Sequence, residues 1–181
     1  MEIFRDTAEK KIVLDINKLK TLTQTLKDTL GYKVVITIGT WDMLHIGHLR
    51  YLIEAKKQGD VLLVGADTDR AVKLYKGPLR PVIPQSERME MLSYQHCIDL
   101  ITLVDDIDEK GEWKYQLIKE IQPDIFVAEE ESYPQKQLDD IRQFCKEVVV
   151  LERQAKSTST SMKIQDTLKK HIESFLTNLK V

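Results

Sequence analysis

Val34-Val35-Ile36-Thr37-Ile38 runs directly into Gly39-Thr40-Trp41-Asp42-Met43-Leu44-His45-Ile46-Gly47-His48, an apolar run followed by a polar loop that opens a helical period. The run is rich in β-branched residues and does not alternate with polar ones. That is the pattern of a strand buried on both faces of a parallel sheet. Further runs of the same character follow: Val61-Leu62-Leu63-Val64, Leu100-Ile101-Thr102-Leu103-Val104, Ile125-Phe126-Val127 and Val148-Val149-Val150-Leu151. Segments of helical period lie between them. Leu49, Leu52, Ile53 and Lys56 share a face after the first run, and Met89, Leu92 and His96 share one before the third. Leu117, Ile118 and Ile121 precede the Pro123-Asp124 break; Leu138, Ile141 and Cys145 precede the last run. Strand–helix alternation of this kind predicts an α/β fold: a Rossmann-like, five-stranded parallel sheet with helices on both faces, in a single domain.

Two amphipathic helices flank that core. Ile16, Leu19, Thr23, Leu26 and Leu30 form one stripe, stopped by Gly31; Ile164, Leu168, Ile172, Phe175 and Leu179 form the other. Both are expected to pack on the sheet as outer helices, with a homodimer contact as the alternative. The expected division is a helical extension over residues 1–31 and a domain over 32–181 that includes the C-terminal helix.

With 181 residues, the chain has the length of one domain and can bury a core without disulfides or a structural metal. Its 27 Lys and Arg against 29 Asp and Glu leave a net charge of −2, so bulk charge carries no nucleic-acid footprint. Lys18, Lys20 and the Lys169-Lys170 pair are short and helical, where a solvated face is the default. Cys97 and Cys145 form no CxxC pair, which fits a reducing compartment and argues against a Cys-based zinc site. The charged start Met1-Glu2-Ile3-Phe4-Arg5-Asp6 does not read as a signal peptide, and no apolar run approaches the roughly 20 residues of a membrane span. These features lead to the expectation of a cytoplasmic protein with no membrane or nucleic-acid partner.

In open α/β sheets, ligands bind beyond the carboxyl ends of the strands, where strand order reverses. Two strand–loop–helix junctions therefore stand out. One is the 39–48 loop; the other is Glu152-Arg153-Gln154-Ala155-Lys156 with the hydroxyl run Ser157-Thr158-Ser159-Thr160-Ser161. Free backbone N–H groups and the helix dipole favour a phosphate at such places. Two of the four histidines, His45 and His48, sit three apart in the first junction, with Gly47 between them to let a ligand come close. Phosphoryl binding, a metal pair lacking its third ligand, and structural capping are the competing readings of that pair.

His45-Ile46-Gly47-His48 after Gly39-Thr40-Trp41-Asp42 resembles the HxGH signature of the cytidylyltransferase-like nucleotidyltransferase superfamily. The hydroxyl run resembles its second signature, with Arg153 on the arginine and Thr158, Ser159 and Thr160 on the hydroxyl triplet. Two branches are matched in part. Lys76-Gly77-Pro78-Leu79-Arg80-Pro81-Val82-Ile83-Pro84 is similar to the heptose 1-phosphate adenylyltransferase domain of ADP-heptose synthases. Gly39-Thr40-Trp41-Asp42, Arg153 and Glu109-Lys110-Gly111-Glu112-Trp113 look like glycerol-3-phosphate cytidylyltransferases. The chain departs from both at His96, where an arginine is usual, and at Glu129-Glu130-Glu131-Ser132-Tyr133-Pro134, where a glycine-bearing loop is usual.

The resemblance implies an enzyme in which an acceptor phosphate attacks the α-phosphorus of a nucleoside triphosphate and pyrophosphate leaves. It implies His45, His48 and Lys76 as catalytic groups, with Lys73 as second choice for the cation. It implies nucleotide contacts from Gly39, Thr40, Trp41, Gly47, Glu129, Arg153, Thr158, Ser159 and Thr160. Arg88 matches a family arginine there, or forms a surface charge pair with Glu87. Asp42, Lys73 and Lys110 are expected on the acceptor side, Asp42 also orienting the histidine loop. Mg²⁺ is expected to come with the nucleotide. ATP with a sugar phosphate such as heptose 1-phosphate is favoured; CTP with glycerol 3-phosphate or another polyol or amino-alcohol phosphate is the alternative. A nucleotide-binding module without turnover is the non-enzyme reading. Three carboxylates at 129–131 would repel an anionic acceptor unless they point away or meet a hydroxyl-rich part of it.

Overall fold

The computed structural model describes residues 7–155 and 158–178. The charged start, Lys156 and Ser157 of the second junction, and Leu179 of the C-terminal stripe lie outside the described residues. Five parallel strands form one sheet in the order β3-β2-β1-β4-β5: β1 (Val34–Gly39), β2 (Val61–Asp67), β3 (Leu100–Val104), β4 (Ile125–Glu129) and β5 (Glu147–Leu151). The expected Rossmann-like sheet is the one observed. The chain builds outward from β1 to β3, then returns to the other side of β1 with β4. The order therefore reverses between β1 and β4, the place where loops diverge and leave a crevice.

Seven helices stand among the described elements: α1 (Ile16–Leu30), α2 (Ile46–Lys56), α3 (Asp69–Lys76), α4 (Gln85–Ser93), α5 (Gln116–Ile121), α6 (Gln135–Ile141) and α7 (Thr160–Asn178). Alternate strand residues face opposite cores. Val34, Ile36, Leu63 and Phe126 meet Leu19 of α1, Leu117 and Ile118 of α5 and Ile141 of α6. Val35, Leu62, Val64 and Val127 meet Tyr51 and Leu52 of α2 and Leu92 of α4. Both faces of the central strands are buried, which is why their sequences read as unbroken apolar runs.

The two flanking helices part company. Asp15 caps α1 by accepting from the Asn17 and Lys18 amides at 2.8 and 3.2 Å, and Gly31 ends it at φ 68°. Leu19 is fully buried, and Lys20 Nζ pairs with Glu120 at 2.9 Å on α5. Truncating Leu19 to Ala would remove about 2–5 kcal/mol of stability. By contrast, α7 buries only Thr160. Leu168, Ile172, Phe175 and Leu176 are all exposed, so outer-helix packing holds for α1 and fails for α7. The edge strand β5 is also only half covered, with Val150 exposed. Three residues expected on helical faces depart from them: Ile53 is exposed on α2, and His96 and Cys145 fall past the ends of α4 and α6. Among the described residues no helix is long and apolar enough to cross a membrane.

Candidate active site

Two hollows meet above the switch point. The larger, of about 560 Å³, is lined by Gly39, Thr40, Asp42, Asp67, Tyr75, Trp113, Ser132, Tyr133 and Gln137, among others. The smaller, of about 160 Å³, is lined by His45, Gly47, Arg153, Ala155, Thr158 and Ser159. His48, Lys76, Arg80, Glu129 and Thr160 belong to both linings. The loops after β1, β4 and β5 thus converge on one place, as the two signatures lead one to expect.

The histidine loop is held by local geometry. His45 is the N-cap of α2 and accepts the Gly47 amide on Nδ1 at 3.2 Å. A Cβ on Gly47 would sit 3.0 Å from that ring and 3.1 Å from Ala155, so both neighbours would have to give by a few tenths of an ångström to admit one. With Nδ1 accepting, the neutral His45 ring carries its proton on Nε2. Its ring stacks on His48 at 3.9 Å between centroids, and Trp41 meets His48 edge-on at 5.7 Å. Burial pulls the His48 pKa down to about 3, with His45 and Lys76 adding to the effect, so the ring is neutral at pH 7. His48 Nδ1 is buried without a partner, and the residue lines both hollows. The His45 pKa is lowered too, first by desolvation and then by Lys163 and Arg153.

Beneath the loop lies a set of closed polar contacts. Asp42, 1% exposed, accepts from Arg80 Nε at 2.8 Å and from the Val82 and Ile83 amides at 3.0 and 2.9 Å. Its carbonyl takes the Thr160 hydroxyl at 2.7 Å. One carboxylate and its own backbone therefore tie together the histidine loop, the 77–84 loop and the start of α7. Arg88 is neither a surface partner of Glu87 nor on the lining of either hollow. It is fully buried on α4 and donates to the Ile83, Thr40 and Asp67 carbonyls and to Asp69 Oδ1, which it meets at 2.8 Å. Trp41 lines the larger hollow, but its indole N–H is occupied by the Gly65 carbonyl at 2.8 Å. Ser159 caps α7 by accepting the Met162 amide at 3.1 Å.

Of the other residues singled out, Lys73 and Lys110 are exposed and line neither hollow. The Glu129–Glu131 run divides. Glu129 reaches both linings, its pKa raised by burial against the opposing pull of Arg153, while Glu130 and Glu131 are exposed outside them. Glu131 holds φ 67°, the left-handed conformation that a glycine takes without strain. Arg80, Asp67, Tyr75, Tyr133, Gln137 and Trp113 also line the cleft, outside the residues that the resemblance marks for the site. Arg80 sits inside the quoted Lys76–Pro84 stretch. Asp67 sits at a strand's carboxyl end, where a polar residue is itself a signal. The tyrosines reach the site from helix and loop positions that no periodicity marks.

The profile of the cytidylyltransferase-like family matches residues 36–176, a span that holds both the histidine loop and the hydroxyl triplet. The chain belongs to that family. It is 34% identical over 123 residues to the bifunctional protein HldE of Nitratiruptor sp., covering 68% of this chain and 25% of that one. It is 41% identical over 111 residues to HldE of Campylobacter fetus, covering 61% and 23%. The chain therefore spans about a quarter of the length of these relatives. Among solved structures, a lipopolysaccharide core biosynthesis protein from Thermoplasma volcanium superposes with a TM-score of 0.57 at 25% identity, over 68% of this chain and 98% of that one. Pantoate-beta-alanine ligase from Francisella tularensis shares the fold, with a TM-score of 0.55 at 14% identity, over 88% and 77%. Among the described residues of this cytidylyltransferase-like chain, no group of three or more His, Cys, Asp or Glu could hold a metal ion.

Proposed function

We propose that this chain transfers a nucleotidyl group from a nucleoside triphosphate, ATP in preference to CTP, to the phosphate of a sugar phosphate. The observation that carries the reading is the shared wall of His48, Lys76, Arg80, Glu129 and Thr160 between the two hollows. A triphosphate lying in the smaller hollow has its α-phosphorus beside that wall, and the larger hollow has room for a phosphorylated sugar. An acceptor phosphate oxygen attacks the α-phosphorus, the bond to the bridging oxygen breaks, and pyrophosphate leaves with that electron pair. Nothing covalent forms on the protein, so its contribution is in-line positioning and charge stabilisation.

His45 and His48, both neutral, donate from Nε2 to phosphoryl oxygens as charge builds there. Thr158, Ser159, the α7 amides and Arg153 hold the β- and γ-phosphates, and Gly39 and Thr40 border the α-phosphoryl group. Lys76 and Arg80 stand between the two approaching anions. Mg²⁺ bound with the nucleotide would supply counter-charge to the pyrophosphate. The preference for ATP rests on the Lys76–Pro84 resemblance and on the likeness to HldE proteins. The exposed face of α7 pairs with a second copy in this reading, and Phe175→Glu would then lower the mass seen by sedimentation. We place the protein in the cytoplasm, where both substrates are at hand.

The test is a pyrophosphate-release screen crossing four nucleoside triphosphates with sugar 1-phosphates and polyol phosphates. ATP with a sugar 1-phosphate should give the highest kcat/KM. A preference above about tenfold for CTP with glycerol 3-phosphate, roughly 1.4 kcal/mol, would overturn the substrate assignment. Nucleotide binding without release from any pair would leave a binding module.

A further inference from the structure

Asp67 ends β2 on the lining of the larger hollow and is 2% exposed. Its two oxygens are used unequally. Oδ2 accepts the Tyr75 hydroxyl at 2.5 Å, whereas Oδ1 is buried with no hydrogen-bond partner. Tyr75 has one proton, and Asp67 takes it, so the 2.6 Å contact between Tyr75 and Thr40 is a donation from the Thr40 hydroxyl. That relay leaves Oδ1 as the open acceptor on this wall. A buried carboxylate oxygen without a protein donor is costly, and a ligand hydroxyl in the cleft would supply one.

The position of Asp67 decides which ligand. Asp67 is absent from the lining of the smaller hollow, where the hydroxyl triplet lies, so it faces the part of the cleft beyond His48. Around it stand the Tyr75 and Trp113 rings, 5.4 Å apart and tilted by 56°, with Tyr133, Ser132 and Gln137. Flat aromatic faces beside polar acceptors suit the mixed C–H and hydroxyl surface of a sugar. An anionic phosphate is repelled by Asp67, but a neutral hydroxyl two or more atoms from that phosphate is not. We infer that Asp67 is a specificity-determining residue of the acceptor subsite, accepting on Oδ1 a hydrogen bond from one sugar hydroxyl. The inference rests on the proposed transfer reaction for its acceptor.

The experiment uses the full chain and mannose 1-phosphate, with the deoxy and deoxyfluoro analogues at each ring position and at C6. A fluorine keeps the size of a hydroxyl but donates nothing. For the wild type, one position should lose about tenfold or more in kcat/KM in both the deoxy and the deoxyfluoro form, mainly through KM. In Asp67→Asn, which keeps an oxygen for Tyr75 and turns an amide to the ligand, the fluoro penalty at that position should shrink to within about twofold. The KM for ATP should stay unchanged. A uniform loss on every acceptor, an altered ATP KM, or equal tolerance of all analogues by the wild type would overturn the assignment. If no acceptor turns over, the transfer reading itself has failed. The same analogue series is then read by titration calorimetry, where a hydroxyl dependence abolished by Asp67→Asn supports the site and its absence refutes it.

Discussion

The floor of the cleft and its walls use the same residue types and differ in what the polar atoms do. In the floor, Arg88, Asp42 and the Trp41 indole are closed on internal partners in two loops and strand β2. On the walls, Asp67 Oδ1 is buried without a partner, and His48, Lys76, Arg153 and Thr158 border open volume. Burial alone therefore does not mark a ligand contact here. Completeness of hydrogen bonding does: a closed set holds a loop in place, and an open one waits for something to bind.

The largest expected effect attacks the floor. Arg88→Met keeps the bulk and leaves the Thr40, Ile83 and Asp67 carbonyls and Asp69 without their donor. It should remove about 3–5 kcal/mol of folding stability, read by urea denaturation. A variant that folds normally and loses only nucleotide affinity would show instead that Arg88 acts on phosphate, and the contrast between floor and walls would break. The next effect is on the wall. His48→Ala should lower kcat by about a hundredfold to a thousandfold while nucleotide affinity stays within about tenfold, because the imidazole acts most on charge that develops in the transition state. Normal turnover would make His48 a packing residue against Trp41.

Asp67 gives a smaller effect, visible in stability. Burial raises its pKa from 3.8 to about 6, against the opposing pull of Tyr75, Lys76 and Arg88 and with the help of Asp106. The folded state thus holds this proton more tightly than the unfolded chain. Stability is lost as pH rises from about 4 through 6, and the loss is complete above that window. Asp67→Asn has no proton to lose there. Between pH 4 and pH 8 the stability difference should move toward the variant by about 2–3 kcal/mol, a shift of roughly two pKa units. Parallel stability–pH curves would mean that Oδ1 is solvated in the free protein and that the wall is less open than its hydrogen bonding indicates.

The strands were legible because a doubly covered parallel sheet leaves no polar alternation, and four of the five runs lie within strands buried on both sides. The fifth, β5, is an edge with the same β-branched composition and half the cover. Amphipathicity likewise could not separate α1 from α7, since a stripe records that a face is apolar and not what meets it. In the site, residues fixed by a short local motif were readable: His45, Gly47, His48 and Thr158 to Thr160 line the smaller hollow together. Residues whose role depends on distant partners were not. Arg88 reaches Thr40 across 48 positions, and Tyr133 reaches the Ile38 carbonyl across 95. No local pattern encodes such contacts.

The smallest expected effect separates three lysines that the resemblance brings to the site, Lys76 first. Lys76 lies on both linings, at the end of α3, and its pKa is lowered by desolvation and by Arg80 beside it. Lys73 is one turn earlier on the same helix, so its side chain leaves from nearly the same face, yet it borders neither hollow. Lys110 sits at the exposed tip of the 105–115 loop, beyond Trp113. A solvent-exposed cation outside the cleft acts through screened, long-range attraction, which falls off over about 8 Å at physiological salt. Lys73→Ala and Lys110→Ala should therefore change kcat/KM by less than about twofold at 150 mM salt, and by somewhat more at low salt, where steering of anionic substrates returns. Lys76→Ala should cost about tenfold or more at both salt concentrations, because its ammonium borders both hollows where the reacting phosphates meet. If Lys73→Ala matched Lys76→Ala and the loss were independent of salt, Lys73 would have to reach the reacting phosphates beside Lys76 when substrates bind.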